Sequence, residues 1–179
     1  NILENSIQEG PYKKIKSLFD VINNTSTAMG RRFLKSCLVA PLISEKKINE
    51  RYNLIETMIE DNYYKDIEVN LKSIFDLERT HRKISLNILN PQEYVDFISS
   101  YKEVVEIILK ILPKKKLNSI KPDKKTIKQI NNFIKYSKNT FDLEEMKKYN
   151  LNDIDNSFFK KNIHTELDKI QNKINNSII

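Results

Sequence analysis

Glycine is almost missing from this chain: Gly10 and Gly30 are the only two in 179 residues. Phosphate-cradling loops, dinucleotide-binding turns and tight hairpins all draw on glycine's conformational freedom, so none of them is expected. A single cysteine, Cys37, can close no disulfide within the chain, which fits a reducing intracellular compartment. Two histidines and that cysteine cannot build a structural zinc site without several carboxylates. No apolar run approaches the roughly 18–20 residues that span a bilayer, and peripheral binding by basic helices needs a large apolar patch beside the lysines that the sequence does not show, so no membrane partner is expected. The opening Asn1-Ile2-Leu3-Glu4 has neither the basic start nor the apolar stretch of a secretory leader. The missing initiator methionine is read as the mark of a piece of a longer protein.

What is present is helical. Hydrophobic residues make up 39% and charged ones 31%, a balance that supports a folded core. After Ile2-Leu3 and the Gly10-Pro11 break, Ile15, Leu18, Phe19 and Ile22 form a helical run. Thr25-Ser26-Thr27 offers hydroxyl caps for a helix from Ala28 to about Val39, which Pro41 ends. Its expected buried face is Met29, Phe33, Leu34, Cys37 and Leu38. Ser44 caps a helix with Ile48, Tyr52, Ile55 and Ile59 in line. Residues 63–75 and 76–89 continue the pattern.

Asn90-Pro91-Gln92-Glu93 is a helix start, with a cap, a proline at the first position and a capping-box acid. One apolar face, Tyr94 to Leu109, then lines a helix of about 22 residues, roughly 33 Å, that Pro113 stops. Pro122 opens another helix carrying Ile127, Ile130, Ile134, Ser137 and Phe141. Residues 142–160 are polar and aperiodic, expected as short helices and loops. Thr165 with Asp168 starts a last helix, bearing Leu167, Ile170 and Ile174, with no stop signal before the end. The expected fold is all-α, an elongated multi-helix bundle.

Positive charge is uneven. Residues 1–90 hold 14 basic and 12 acidic side chains, and residues 91–179 hold 17 and 12. Lys110–Lys128 alone has eight lysines and one acid, Asp123. Such a run attracts phosphate without reading sequence, because lysine lacks the planar fork that recognises guanine edges. The plainer alternative is a solvated loop between helices. Asp76, Glu78 and His81 are close in sequence, but the two acids point in different directions on a helix, which disfavours a metal site. No nucleophile–base arrangement is evident, and no catalytic turnover is expected of this chain.

One set of motifs says more. Ser17 to Leu34, containing Thr27-Ala28-Met29-Gly30-Arg31-Arg32-Phe33-Leu34, is followed by Ala40-Pro41-Leu42, Ile48-Asn49-Glu50-Arg51 and Asp76-Leu77-Glu78-Arg79. In order and spacing this resembles the core, or lever, domain of the MutS DNA mismatch-repair family. Glu166-Leu167-Asp168 looks like the point where the lever continues into the DNA clamp, and Arg79-Thr80-His81-Arg82-Lys83, with Asn90-Pro91 shortly after, looks closer to the MutS-like branch of some large viruses and organelles than to the bacterial repair enzyme. The resemblance implies a lever domain over residues 1–160 and, over 161–179, the start of the helix into the clamp. It implies a parent protein that binds ATP and Mg, works as a homo- or heterodimer and closes over double-stranded, mismatched DNA. Within that parent the lever would meet its own ATPase, connector and clamp domains. No phosphate loop is present here, so this chain itself is expected to hold no cofactor and no metal.

The implied interdomain and structural residues are Thr27, Gly30, Arg31, Arg32, Pro41, Arg51, Asp76 and Arg79. Read as residues, Thr27 can cap, and Gly30 lets another backbone approach closely. Arg31 and Arg32 suit carboxylates across a domain boundary better than DNA, or are partly exposed ends of a packed helix. For DNA backbone the candidates are Lys169 and Lys173, away from the apolar stripe of the last helix, and separately Lys114, Lys115 and Lys116. The lysine run is more basic than the resemblance explains and could mark a phosphate contact of its own lineage. The competing reading is a helical scaffold for protein contacts with no nucleic-acid role.

Overall fold

The lengths of the apolar stripes predict where the helices start and stop, and a computed structural model describing residues 17–177 (the side chain at position 61 aside) places them accordingly. Ile2, Leu3, Gly10, Pro11 and Ile15, part of the expected opening stretch, lie outside the described residues. The described helices are α1 (Leu18–Ile22), α2 (Ala28–Val39), α3 (Glu45–Ile59), α4 (Tyr63–Lys72) and α5 (Leu77–Ser85). They continue with α6 (Pro91–Ile111), α7 (Lys124–Thr140), α8 (Leu143–Met146) and α9 (Thr165–Ser177), with short 3₁₀ turns at Glu60–Asn62 and Lys115–Ile120. The fold is all-α; among the described residues the one β-type pairing is an isolated bridge between Phe141 and Phe159.

The chain packs as two units. One holds the described residues up to Asp76 together with Lys110–Lys121; the other holds Leu77–Leu109 and the described residues from Pro122 onward. In the first, α3 packs on α4 and on both 3₁₀ turns. Phe19, Thr57, Tyr63 and Ile67 are buried there, and Leu117 is 0% exposed. Leu117 corrects the picture of a solvated lysine linker: that segment is anchored by a buried apolar side chain. The Tyr63 hydroxyl donates to the Lys110 carbonyl and ties the end of α6 to α4.

Two stripes sit differently from their sequence expectation. Phe33 of α2 is 66% exposed, while Met29, Leu34, Cys37 and Leu38 are only half-buried. In α3 the inward side carries Leu54, Thr57 and Met58, leaving Tyr52, Ile55 and Ile59 exposed. A four-three-four spacing names a face, and here the neighbours available to α3 lie one step around the helix from it.

The second unit is built on Phe97, Ile98 and Ile134, with Tyr94, Tyr101, Ile130 and Phe133 packed around them. The rings meet edge to face: Phe97 with Phe133 at 5.9 Å and 73°, Tyr94 with Phe133 at 6.5 Å and 80°. This geometry sets the positive ring edge on the negative face of the next ring. Both fully buried serines are satisfied within their helices. Ser100 donates to Asp96 O at 2.8 Å, and Ser137 to Phe133 O at 2.9 Å, its oxygen also 2.8 Å from the Tyr94 hydroxyl. In the stretch 142–160 the structure adds α8, capped by Asp142, and buries Met146 and Tyr149.

With glycine scarce, the left-handed backbone positions among the described residues fall to asparagine: Asn62, Asn87 and Asn162 have φ of 57°, 55° and 68°. Asparagine tolerates this region because its short amide bonds locally. The capping box at α6 forms by halves. Glu93 accepts the Asn90 N–H at 3.2 Å, while the Asn90 side chain accepts from Leu151 N at 3.1 Å and so holds a segment 61 residues away. Lys83 also donates to Glu93.

The Lys83 ammonium, joined by the Asn90 N–H, holds the Glu93 carboxyl below the usual carboxylate range. A lowered folded-state pKa contributes stability that is complete above the unfolded value, about 4.3, and is lost as pH falls through the folded value. Glu93→Gln is therefore expected to cost at most about 1 kcal/mol near neutrality, given solvent screening of this pair. It should narrow the gap to the parent below about pH 4. Urea midpoints measured at pH 7 and pH 3 check this; an equal gap at both would show that the carboxylate contributes nothing.

Candidate functional site

Of the residues singled out by motif, Thr27, Gly30, Arg31 and Arg32 stand at the start of α2 and Asp76 just before α5, while Pro41, Arg51 and Arg79 lie apart from them. Thr27 caps α2 by accepting the Gly30 N–H at 2.9 Å. A methyl group at Gly30 would stand 2.9 Å from that same hydroxyl oxygen, and 3.6 Å from Thr25 Cβ. The close neighbour is thus the cap of its own helix, rather than a backbone from elsewhere. Pro41 follows Ala40, whose N–H closes the last turn on Ser36 O at 2.9 Å. Proline cannot continue a helix there.

The two arginines part company. Arg31 lies over the ring of buried Phe19, 5.6 Å from its centroid, and so fixes α1 against α2. Arg32 turns to Asp76 with both terminal nitrogens, at 2.6 and 2.7 Å, a parallel two-bond fork joining residues 44 apart. Two motifs that are separate in sequence are one contact in space. Neither composition nor spacing indicates this pair, because nothing local connects the positions. Arg51 is half-buried in α3, and Arg79 is exposed on α5.

The linker lysines are mostly engaged. Lys114 lies 4.9 Å from the Tyr63 ring centroid, and Lys116 pairs with Glu60 at 2.8 Å. Lys115 is exposed and pairs with no acid among the described residues. Nearby, Lys110 donates to Asp66 O and Asn70 Oδ1, and Lys121 to Leu112 O and Asn118 Oδ1. The first half of the lysine run therefore serves its own unit.

On α9, Asp168 accepts from Asn162 N at 2.9 Å and Gln171 from Ser157 N at 3.1 Å. These polar tethers, not the apolar stripe, hold the helix: Leu167, Ile170 and Ile174 are all exposed. Lys169 and Lys173 each stand two positions from Gln171, about 200° around the helix, so they face away from the tethered side. Both are exposed.

Among the described residues no three His, Cys, Asp or Glu side chains stand close enough to hold a metal ion. Asp76 is taken by Arg32, and His81 Nε2 is 2.7 Å from the Tyr101 hydroxyl. His81 also meets Phe97 edge-on at 4.9 Å and lines a cavity of about 350 Å³ with Ile84, Ile130, the rings of Phe97, Tyr101 and Phe133, and the polar Gln129. No described helix is long and apolar enough to cross a membrane.

Two double-mutant cycles test this geometry. Gly30→Ala should be neutral or destabilising in the parent, since its gain in helix propensity displaces the Thr27 hydroxyl. In a Thr27→Ala background, itself costing about 1 kcal/mol, it should stabilise by about 0.5–1 kcal/mol. Equal effects in both backgrounds would mean the two residues do not interact. Arg32→Lys should lose most of what Arg32→Ala loses, roughly 0.5–1 kcal/mol at low salt for a half-exposed forked pair, and both losses should shrink once Asp76→Asn is present. Additive urea-denaturation effects would rule out the pair as a stabilising contact.

The family model for MutS domain III matches residues 1–178. A MutS homologue of Acanthamoeba polyphaga mimivirus, named as a DNA mismatch repair protein, is 40% identical over 177 residues, 97% of this chain and 16% of its own length. DNA mismatch repair protein MutS of Streptococcus uberis is 39% identical over 82 residues, 45% of this chain and 10% of that protein. MutS of Lactobacillus johnsonii is 34% identical over 101 residues, 56% and 12%. The chain thus spans about a sixth or less of these relatives. No solved structure matches it. With a capped Thr27–Gly30 turn, an Arg32–Asp76 fork and an all-helical fold, this chain belongs to the MutS domain III family.

Proposed function

We propose that this chain is the lever of a MutS-like DNA mismatch-repair protein, transmitting movement between an ATPase domain and a DNA clamp and touching DNA only through phosphates. On this reading residues 1–160 form the lever core, and 161–179 begin the helix that enters the clamp. ATP and Mg are bound elsewhere in the parent, which acts on double-stranded, mismatched DNA as a homo- or heterodimer inside the cell. The lever's neighbours are the parent's own ATPase, connector and clamp domains. The chain itself performs no chemistry; its work is mechanical.

The observation that carries the DNA contact is α9. Its lysines stand one turn apart on the side turned away from the tethers at Asp168 and Gln171, on a helix of the length and polarity that can lie along a backbone. Lysine ammonium groups bind phosphate as point charges, so the contact is blind to sequence. A second reading, a helical scaffold for protein partners without nucleic acid, draws on the exposed Tyr52, Ile55 and Ile59 of α3.

Fluorescence anisotropy of labelled duplexes at two salt concentrations separates the readings. The parent chain is expected to bind weakly, in the roughly 10⁻⁴–10⁻⁶ M range of non-specific contacts, and less tightly as salt rises. Lys169→Ala with Lys173→Ala should weaken binding equally for matched and mismatched duplexes and flatten the salt slope by up to about one unit per lysine. Parent-like binding by the double variant would make these two lysines ordinary solvated surface. No binding by the parent at low salt would favour the scaffold.

A further inference from the structure

Among the described helices the strongest charge of one sign is not on α9 but on α7. Its 17 residues, Lys124–Thr140, contain five lysines and no acid. Lys124, Lys128, Lys135 and Lys138 fall at intervals of four, seven and three, which places them within about 80° of one another around the helix. All are exposed, as is Lys125 on the flank. The opposite side is fixed inward by Ile130, Phe133, Ile134 and Ser137. Packing of the second unit therefore dictates that the lysine face points to solvent.

Two further features bear on what this face is for. None of the five lysines pairs with an acid among the described residues, unlike Lys83, Lys116, Lys147 and Lys148. Lys124 and Lys125 also occupy the first turn, where the helix dipole disfavours cations and where a stability-driven sequence places acids. Asp123, which caps the helix by accepting from Thr126 N at 2.6 Å, is the single local counter-charge. The row from Lys124 to Lys138 is about 21 Å long. Duplex nucleic acid offers one negative charge per roughly 1.7 Å of axis, so such a row can span several phosphates at once.

We propose that the exposed face of α7 is a second contact for the phosphate backbone of duplex nucleic acid, separate from α9. The ligand class follows from the chemistry. A row of lysines with interleaved Asn131 and Asn132 can bind phosphates but lacks the arginine fork that reads base edges. Single strands call for a series of stacking rings, and Tyr136 is alone here. A bilayer surface calls for an apolar face free to insert, and that of α7 is consumed by the core. This contact does not rest on the lever assignment or on α9.

The test uses the whole chain with Lys128→Gln, Lys135→Gln and Lys138→Gln combined, compared with the matching triple arginine variant and with the Lys169→Ala/Lys173→Ala pair. Glutamine keeps helix propensity at these exposed positions, and circular dichroism with thermal melting confirms that each variant is folded. With three phosphate contacts removed, the parent should lose about 40 times more duplex affinity than the glutamine variant between 50 and 200 mM salt. The arginine variant should behave as the parent. Parent-like salt dependence in the glutamine variant overturns the proposal, even if the α9 pair is defective. Loss of binding to phosphatidylserine vesicles in the glutamine variant, with duplex binding unchanged, overturns it in favour of a membrane surface. Loss in the α7 variant with a silent α9 pair upholds it while refuting the role given to Lys169 and Lys173.

Discussion

Edge-to-face packing between the rings of α6 and α7 is the contact on which the second unit depends. Phe97 meets Phe133 and Tyr101, Tyr94 meets Phe133 and Phe141, and Ile98 and Ile134 close the remaining space. Aromatic side chains bury large area at a small entropic cost, and the edge-to-face arrangement adds about 0.5–1.5 kcal/mol per pair. The functional consequence is rotational. Once Ile130, Phe133 and Ile134 are committed inward, the helix has no freedom to hide its lysines. The same core therefore sets both the stability of the unit and the charge it shows to solvent.

The first unit is held in another way. Its buried apolar set is small, and much of its cohesion is polar: the Arg32–Asp76 fork, the Tyr63 hydroxyl on the Lys110 carbonyl, and Lys110 and Lys116 reaching back to α4 and Glu60. Exposed charge pairs of this kind each contribute little. Buried Phe19, Tyr63, Ile67 and Leu117 supply the apolar part, while Tyr52, Ile55 and Ile59 remain at the surface. Lysines recruited into such a network are poorly placed to bind an external phosphate. This distinguishes Lys114 and Lys116 from the lysines of α7 and α9.

Sequence alone determined the helices and the family. Apolar spacing, the Thr27 cap, the Asn90-Pro91-Gln92-Glu93 start and the proline stops are local signals, and local geometry obeys them. The Thr27–Arg51 and Asp76–Arg79 motifs carried the resemblance that the domain III match then established. What periodicity could not decide was which neighbour each stripe would meet. Phe33, Tyr52 and the Leu167–Ile170–Ile174 stripe all have helical spacing, yet they stay exposed because the packing partners lie elsewhere. The lysines differ for the same reason: the run from Lys110 to Lys128 is continuous in sequence, but tertiary structure divides it. Its first part turns inward onto α4 and Glu60, and its second part joins Lys135 and Lys138 on one open helix face. A contact such as Arg32 with Asp76, 44 residues apart, exists only once the chain has folded, because nothing local brings the two together.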